Sequence, residues 1–524
     1  MADLQNPGGD AEPPLTDAAQ PTPAGAKPAK PRSLTDRTLS GFFWAFCGTV
    51  GQQLLQFAVV VVLARLLTPH DYGTVSAAMV VIGFSQIFSQ LGIGPAIVQR
   101  PGLETVHVTT GFALSIIFGL LTCGVIFAAA PLIAAFFHNE HLVPIVRVLA
   151  FGFPLEALSV VNRSLLQREM RFRALSSVEV TSYFVGYGCI GIALAWFGFG
   201  AWSLVIASLG QVVTRSVLLL FVVRHRISLW IQRAAAGQLI HFGFGFSLAR
   251  IGNYFALQGD NMVVGRWLGP EALGMYGRAY QLLAIPTNLF GTVIDQVLFP
   301  AMASVQDDKE RLRRVYMRSV AVVAMVTLPL SSVLVVIAPE LISLLLGPNW
   351  TGVVLPFQIL VTSLVFRAGY KMSDSLVRAT GFVYHRAWRQ WVYAACVIAG
   401  AWIGHFSGTS GVAVGVIAAI ATNFLLMLHL SNKITKVSWT KIGLIHLRHL
   451  AIAVGLGLPV WAMATFARVE AWPGLIVLVS SGAVALATGA AFILLMPRLF
   501  GEEGTWVWSL AASRLAKIPA RIKR

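Results

Sequence analysis

Charge is scarce in this chain: of 524 residues only 12% are Asp, Glu, Lys or Arg, and only 22 are acidic. A soluble domain of this length needs about twice that share of charge to stay in solution. Cysteine is scarcer still, with four in all. Cys47, Cys123, Cys189 and Cys396 lie inside apolar runs with neither metal-ligand nor C-x-x-C spacing, so they read as small packing residues and exclude a zinc or thiol-redox site. No glycine-rich phosphate loop and no nucleophile motif is present, and the segments between apolar runs are too short for a catalytic domain, which argues against an enzyme such as a membrane glycan polymerase.

What fills the chain instead is hydrocarbon. Hydrophobic residues make up 56% of it and mean hydropathy is +0.73, more apolar surface than one soluble core can bury. Apolar runs of about twenty residues, the length that crosses roughly 30 Å of lipid as a helix, recur from residue 39 to residue 497. They lack the short polar and apolar alternation of a membrane barrel, so the fold expected is an all-α polytopic membrane protein. The runs place spans at 41–63, 74–98, 108–135, 143–162, 177–196, 202–223, 238–265, 272–302, 317–346, 352–377, 388–405, 411–431, 449–467 and 472–496, about 14 transmembrane helices. Residues 1–36 form a proline-rich tail with no apolar stretch after the start, so a disordered segment is expected there and no cleavable signal peptide.

The net charge of +17 would suggest nucleic acid in a soluble protein, but its placement follows membrane topology. Starting inside, about 30 of the 39 basic residues fall on the cytoplasmic side and Arg65, Arg266 and Arg468 on the other, which puts both termini in the cytoplasm. The basic tail 499–524 reads as an amphipathic segment lying on anionic lipid, so membrane lipids are expected partners and nucleic acid is not.

An internal duplication organises the spans. Shifted by 201 positions, Leu63–Ala78 (LARLLTPHDYGTVSAA) aligns with Val264–Ala279 (VGRWLGPEALGMYGRA), matching Arg65 with Arg266, Leu67 with Leu268, Pro69 with Pro270 and Gly73 with Gly274. Six spans separate the copies. The expected plan is therefore two pseudo-symmetric six-helix lobes, 37–233 and 234–436, entering the membrane in the same direction, followed by two extra helices over 437–498. Such a plan puts a cavity between lobes that rock against each other.

Polar groups inside spans are costly, so they either face a cavity or fix helix packing. In the tenth span Arg367, Lys371, Asp374 and Arg378 share an arc of about 60° at 100° per residue, a stripe of net positive charge. In the eighth, Arg278, Gln281, Asn288, Thr292 and Asp295 share a second face; the seventh adds Arg250, Asn253, Asp260 and Asn261. The first lobe offers Gln52 with Gln56 and Gln86 with Gln90 as i,i+4 pairs, and Arg147, Glu156, Glu179 and Arg215 as isolated charges. Arg65 and Arg266 sit at equivalent span ends and read as ties, not ligands. The candidate cavity lining is Arg367, Lys371, Asp374, Arg378, Arg278, Asn288, Asp295, Arg250, Asp260, Gln52 and Gln56, a basic set suited to an anionic, hydrated headgroup that lipid would reject.

The runs Leu63–Arg100 and Asp260–Gln306 resemble the polysaccharide exporters of the Wzx, colanic-acid and succinoglycan type, within the multidrug/oligosaccharidyl-lipid/polysaccharide superfamily. The second run carries the motif residues Asp260, Gly265, Leu268, Gly269, Gly274, Tyr276, Arg278, Ala279 and Tyr280. The resemblance implies a flippase of the bacterial inner membrane that moves undecaprenyl-diphosphate-linked oligosaccharide to the periplasmic leaflet by alternating access. It also implies no cofactor, coupling to an H⁺ or Na⁺ gradient or the membrane potential, and contact with polymerase or export machinery. A multidrug antiporter or a lipid II flippase of the same superfamily shares the plan; the net basic tenth span fits a drug and cation site poorly.

Overall fold

The computed structural model describes residues 51–223 and 228–495, and every regular element in that range is a helix. The expected tails, the first part of the first span, Arg224 and Arg226 lie outside the described residues, as do the surroundings of the Thr292 and Asp295 side chains. The first half of the chain holds α1 (Gly51–Leu66), α2 (Pro69–Gln90), α3 (Ile93–Gln99), α4 (Thr105–Phe137), α5 (Leu142–Ala150), α6 (Gly152–Arg168), α7 (Phe172–Tyr183), α8 (Ile192–Trp196) and α9 (Ala201–Val222). The second holds α10 (Arg233–Trp267), α11 (Gly269–Val293), α12 (Phe299–Ala303), α13 (Lys309–Leu346), α14 (Val354–Val361), α15 (Leu364–Ala379), α16 (Val383–Gly404) and α17 (Gly408–Thr435). Two further helices, α18 (Trp439–Val469) and α19 (Gly474–Leu495), pack on α13.

Among the described residues nine helical runs are long and apolar enough to cross a membrane, ten with the bent pair 348–361 and 364–379. The protein is therefore a multi-pass membrane protein, but this count stops short of the fourteen expected, for physical reasons. α10 and α11 are long enough yet carry too many charged and amide groups, and 385–435 counts as one run although it holds α16 and α17. Those two are antiparallel, since Gly400 meets Gly415 and Gly404 meets Gly411 with backbones almost touching, the close approach that small residues allow in lipid.

Several expected single spans are broken. The span drawn at 74–98 divides at Leu91 and Gly92, both left-handed, because Gly92 presses on the backbone of Gly243 in α10 and a side chain there would strike it. The fifth expected span contains a π-helical stretch, Phe184–Gly191, between α7 and α8, and the eighth contains a second, Ile294–Leu298, after α11. The tenth bends by 46° between α14 and α15. π-Turns and bends of this kind concentrate at functional positions in helices.

The halves meet mainly along α2 against α11, and where α10 leans across onto α2, α3 and α4. The repeated segment makes the first contact. A capping box between Thr68 and Asp71, with Pro69 at the first helical position, starts α2 sharply. Its Gly73 then lies so close to Pro270 that an added Cβ would stand 1.5 Å from the Pro270 carbonyl oxygen, and a Cβ added at Gly274 would stand 1.9 Å from the Pro69 carbonyl oxygen. Positions matched by the sequence offset thus cross reciprocally. The equivalent arginines reach across at the same end: Arg65 donates to the Leu344 carbonyl, closing α1 onto the end of α13, and Arg266 meets His138 just past α4. Trp350, fully buried, adds a bond from Nε1 to the Ala64 carbonyl at 2.8 Å. This end of the bundle is sealed.

Candidate functional site

Directly beneath the seal lies a cavity of about 430 Å³ enclosed by α1, α2, α7, α9 and α11. Its polar wall comprises Gln56, Tyr72, Ser76, Tyr183, Tyr187, Gln211, Arg278 and Gln281. A smaller hollow of about 150 Å³ shares Gln56, Arg278 and Gln281 and extends to Gln53 and Asn288. Together they form a chamber that mixes polar side chains with apolar ones, of the size that holds small ligands.

Arg278 is its centre. It belongs to α11, in the second half, but reaches the tyrosines of the first, and its Cζ stands 4.0 Å from the centroid of the Tyr72 ring. That cation–π contact steadies the guanidinium without neutralising it. Among the described residues no carboxylate pairs with Arg278, and its buried Nε has no hydrogen-bond partner. Two more chamber groups are equally unsatisfied: the hydroxyl of Tyr72, a residue only 4% exposed, and Oε1 of Gln281, one turn beyond Arg278. Three polar atoms without a partner among the described residues thus share one wall, where they are open to a hydrogen-bonding ligand. Tyr183 and Tyr187 stack on each other at 5.0 Å and 20°, where α7 passes into its π stretch. The stretch is pressed against α9, because a Cβ at Gly186 would stand 2.7 Å from the Ala207 carbonyl and from Gln211.

Of the residues expected to line the cavity, Gln56, Arg278 and Asn288 meet at this chamber, whereas Gln52 is not on its wall and Arg250 is exposed on α10. The stripe of the tenth span, all on α15, divides between two clusters. Arg367 donates from Nη1 to the Tyr280 hydroxyl at 3.0 Å and lies over that ring, while Nη2 has no partner among the described residues. Tyr276, one turn away, donates to Oδ2 of the buried Asp260 at 2.8 Å. Further along, Asp374 is bound by Arg378 at 3.1 Å and by Arg386 of α16, so its charge is answered within the protein. Lys371 passes the backbone of α11 at Gly291. The stripe is therefore a seam of α15 against α11 and α16, and the tyrosine-walled chamber lies on the other side of α11.

Of the isolated charges of the first half, Glu156, Glu179 and Arg215 find one another, whereas Arg147 lies over the Phe127 ring, 5.0 Å from its centroid. Glu156 pairs with Arg215 at 2.9 Å and takes a bond from Gln86, and Arg215 also reaches Glu179 at 3.8 Å, which Arg163 approaches at 3.4 Å. This network ties α2, α6, α7 and α9 together. Sequence reasoning passed over Tyr72, Tyr183, Tyr187 and Gln211. Tyr183 and Tyr187 at i,i+4 carried a usable signal, since a tyrosine hydroxyl in lipid must find a polar neighbour.

Comparison with known proteins agrees with this architecture. The lipopolysaccharide biosynthesis protein WzxC of Escherichia coli (strain K12) is 26% identical over 400 residues, covering 75% of this chain and 80% of the relative. The succinoglycan biosynthesis transport protein ExoT of Rhizobium meliloti (strain 1021) is 30% identical over 311 residues, covering 59% and 62%. In fold, the chain is similar to the lipid II flippase MurJ in an inward closed conformation, with a TM-score of 0.70 at 14% identity over 86% of this chain and 98% of that one. The family model for polysaccharide biosynthesis proteins matches residues 62–355, more than half of the chain, and the protein belongs to that family, among its transporters of Wzx type.

Proposed function

We propose that the protein is a flippase of the bacterial inner membrane that carries undecaprenyl-diphosphate-linked oligosaccharide from the cytoplasmic to the periplasmic leaflet. The observation that carries this reading is the chamber itself: a polar space between two halves, with a guanidinium that no carboxylate among the described residues neutralises. A hydrated glycan head cannot cross hydrocarbon unaided, because each unpaired hydroxyl costs about 4–8 kcal/mol in alkane-like surroundings. A chamber lined by tyrosine, glutamine and serine replaces that water, and Arg278 answers the negative charge.

The two six-helix lobes are taken as the moving bodies, with 37–233 rocking against 234–436. With the basic loops inside, the sealed end faces the periplasm and the chamber loads from the cytoplasm. Parting of the Gly73–Gly274 crossing then releases the head outward. An inside-negative potential drives an anion in that direction by about 2.3 kcal/mol per charge per 100 mV, and the potential or an ion gradient is the assigned energy source. The polymerase that consumes the flipped unit is the expected partner.

The test is deletion of the gene, complemented with native chain, Arg278→Ala or Arg278→Lys at matched membrane levels. The readout is surface polysaccharide and the sidedness of undecaprenyl-diphosphate-linked units. The native chain restores polymer, Arg278→Ala strands completed units on the cytoplasmic face, and Arg278→Lys restores part, since an ammonium keeps the charge but not the forked donors. Normal polymer and lipid pools in the deletion strain would refute the reading.

A further inference from the structure

We propose that Tyr72, Gln281 and the Tyr183–Tyr187 pair form a sugar-reading subsite, which holds the pyranose ring covalently next to an anionic oxygen bound on Arg278. The inference rests on the transport reading above and adds which part of the cargo the chamber recognises.

Three observations carry it. The orphaned atoms are of complementary kinds: the Tyr72 hydroxyl donates or accepts, Arg278 Nε donates, and Gln281 Oε1 accepts. An anion alone would satisfy the first two but leave the third unanswered, because Gln281 Oε1 takes a hydrogen bond only from a donor. A hydroxyl on a carbon near the anion supplies that donor. The stacked tyrosines stand on the same chamber wall and present aromatic surface to the apolar C–H face of a ring, leaving its equatorial hydroxyls for the polar atoms. Finally, about 430 Å³ accommodates one or two sugar rings and not a whole branched repeat unit, so recognition is confined to the proximal part of the cargo.

Tyr72 has a second property. It sits beside Gly73, at the reciprocal crossing that seals the chamber, and its ring meets Trp350 edge-on at 5.5 Å. A ligand bonded to the Tyr72 hydroxyl therefore touches the helix that must move for the chamber to open, so the subsite couples sugar recognition to release.

The anionic oxygen has two chemical sources, the diphosphate linkage or an acidic substituent on the glycan, and the test separates them. Full-length native protein, Tyr72→Phe and Gln281→Ala are purified in detergent and titrated with four probes: geranyl diphosphate, geranyl diphosphate carrying glucose, the same carrying galactose, and cellobiouronic acid. A glycosylated diphosphate is expected to bind the native chain more tightly than bare geranyl diphosphate. Each substitution is expected to weaken that binding by roughly three- to tenfold, the effect of one hydrogen bond; Gln281→Ala should leave bare geranyl diphosphate unchanged, whereas Tyr72→Phe should weaken it as well. Cellobiouronic acid binding with the same dependence on Tyr72 and Gln281 assigns the anion to the glycan; its failure to bind assigns the anion to the diphosphate. Because the Tyr72 hydroxyl has no partner to lose, Tyr72→Phe should melt no lower than the native chain, which separates a lost ligand contact from a damaged fold. Sugar probes that bind both variants as tightly as the native chain would overturn the subsite and leave the transport reading standing. Binding of none of the probes would overturn both.

Discussion

The reciprocal crossing of α2 and α11 gives a perturbation whose effect is set by geometry. An added Cβ at Gly73 would lie 1.5 Å from the carbonyl oxygen of Pro270, and both belong to helix starts that carry a proline, the one in α2 also fixed by the Thr68–Asp71 capping box. Ordinary contact requires roughly 3.5 Å, so Gly73→Ala forces the helices apart by about 2 Å if the seal is to form. Forced overpacking of this kind costs typically about 1–3 kcal/mol. The cost falls only on the sealed state, which shifts the balance between sealed and open forms by roughly five- to 150-fold toward open. The assay places a single cysteine at Ser76, on the chamber wall, in a chain whose own cysteines are replaced, and measures its labelling in intact cells by a membrane-impermeant maleimide. Native Gly73 should protect that cysteine and Gly73→Ala should expose it, with Gly274→Ala giving the same result through the Pro69 carbonyl at 1.9 Å. If both variants leave labelling and export unchanged at normal membrane levels, the crossing is not the seal and the argument built on it is wrong.

Two further substitutions probe the supports of the chamber. Arg215 bridges Glu156 and Glu179 with all three side chains only 12–13% exposed, so Arg215→Ala takes the cation from Glu156 and leaves Glu179 to Arg163 alone; it should cost about 3–5 kcal/mol, read as loss of protein from the membrane fraction and a lower melting temperature in detergent. Trp350→Phe keeps an aromatic ring edge-on to Tyr72 but removes the bond to the Ala64 carbonyl; it should cost about 1 kcal/mol, and increased labelling at the Ser76 position would show that the loss falls on the seal.

How much of this was legible in the sequence depends on whether a property is periodic or relational. Apolar runs announce helices in lipid, and the offset of 201 announces equivalent positions; the structure brings Gly73 and Gly274 to one crossing. Arg65 and Arg266 read as ties because they end spans in both copies, and each does close one half onto the other. What a helical wheel supplies is a face without its neighbour. It grouped Arg367, Lys371, Asp374 and Arg378 correctly on one side of α15, yet the arginine that helps answer Asp374 comes from α16, twelve residues later. The π stretches shift the register within spans, which no regular wheel anticipates, and tyrosines in an apolar run look like packing until their hydroxyls are found without partners.

The duplication makes the unequal use of charge in the two halves informative. In the first, Glu156, Glu179, Arg163 and Arg215 answer one another across α6, α7 and α9, and the cluster ties these helices together. In the second, Arg278 projects out of its own half and rests on a tyrosine of the other. A cation so placed is stabilised only while the halves are together, since parting α2 from α11 would take the Tyr72 ring away from it. An anion bound there replaces what the ring supplied, and it lowers the energy of parting more than that of closure. On the transport reading proposed above, cargo charge would thereby act on the releasing step, and a neutral lipid-linked sugar, able to satisfy Gln281 but not Arg278, should bind without raising the labelling of a cysteine at position 76.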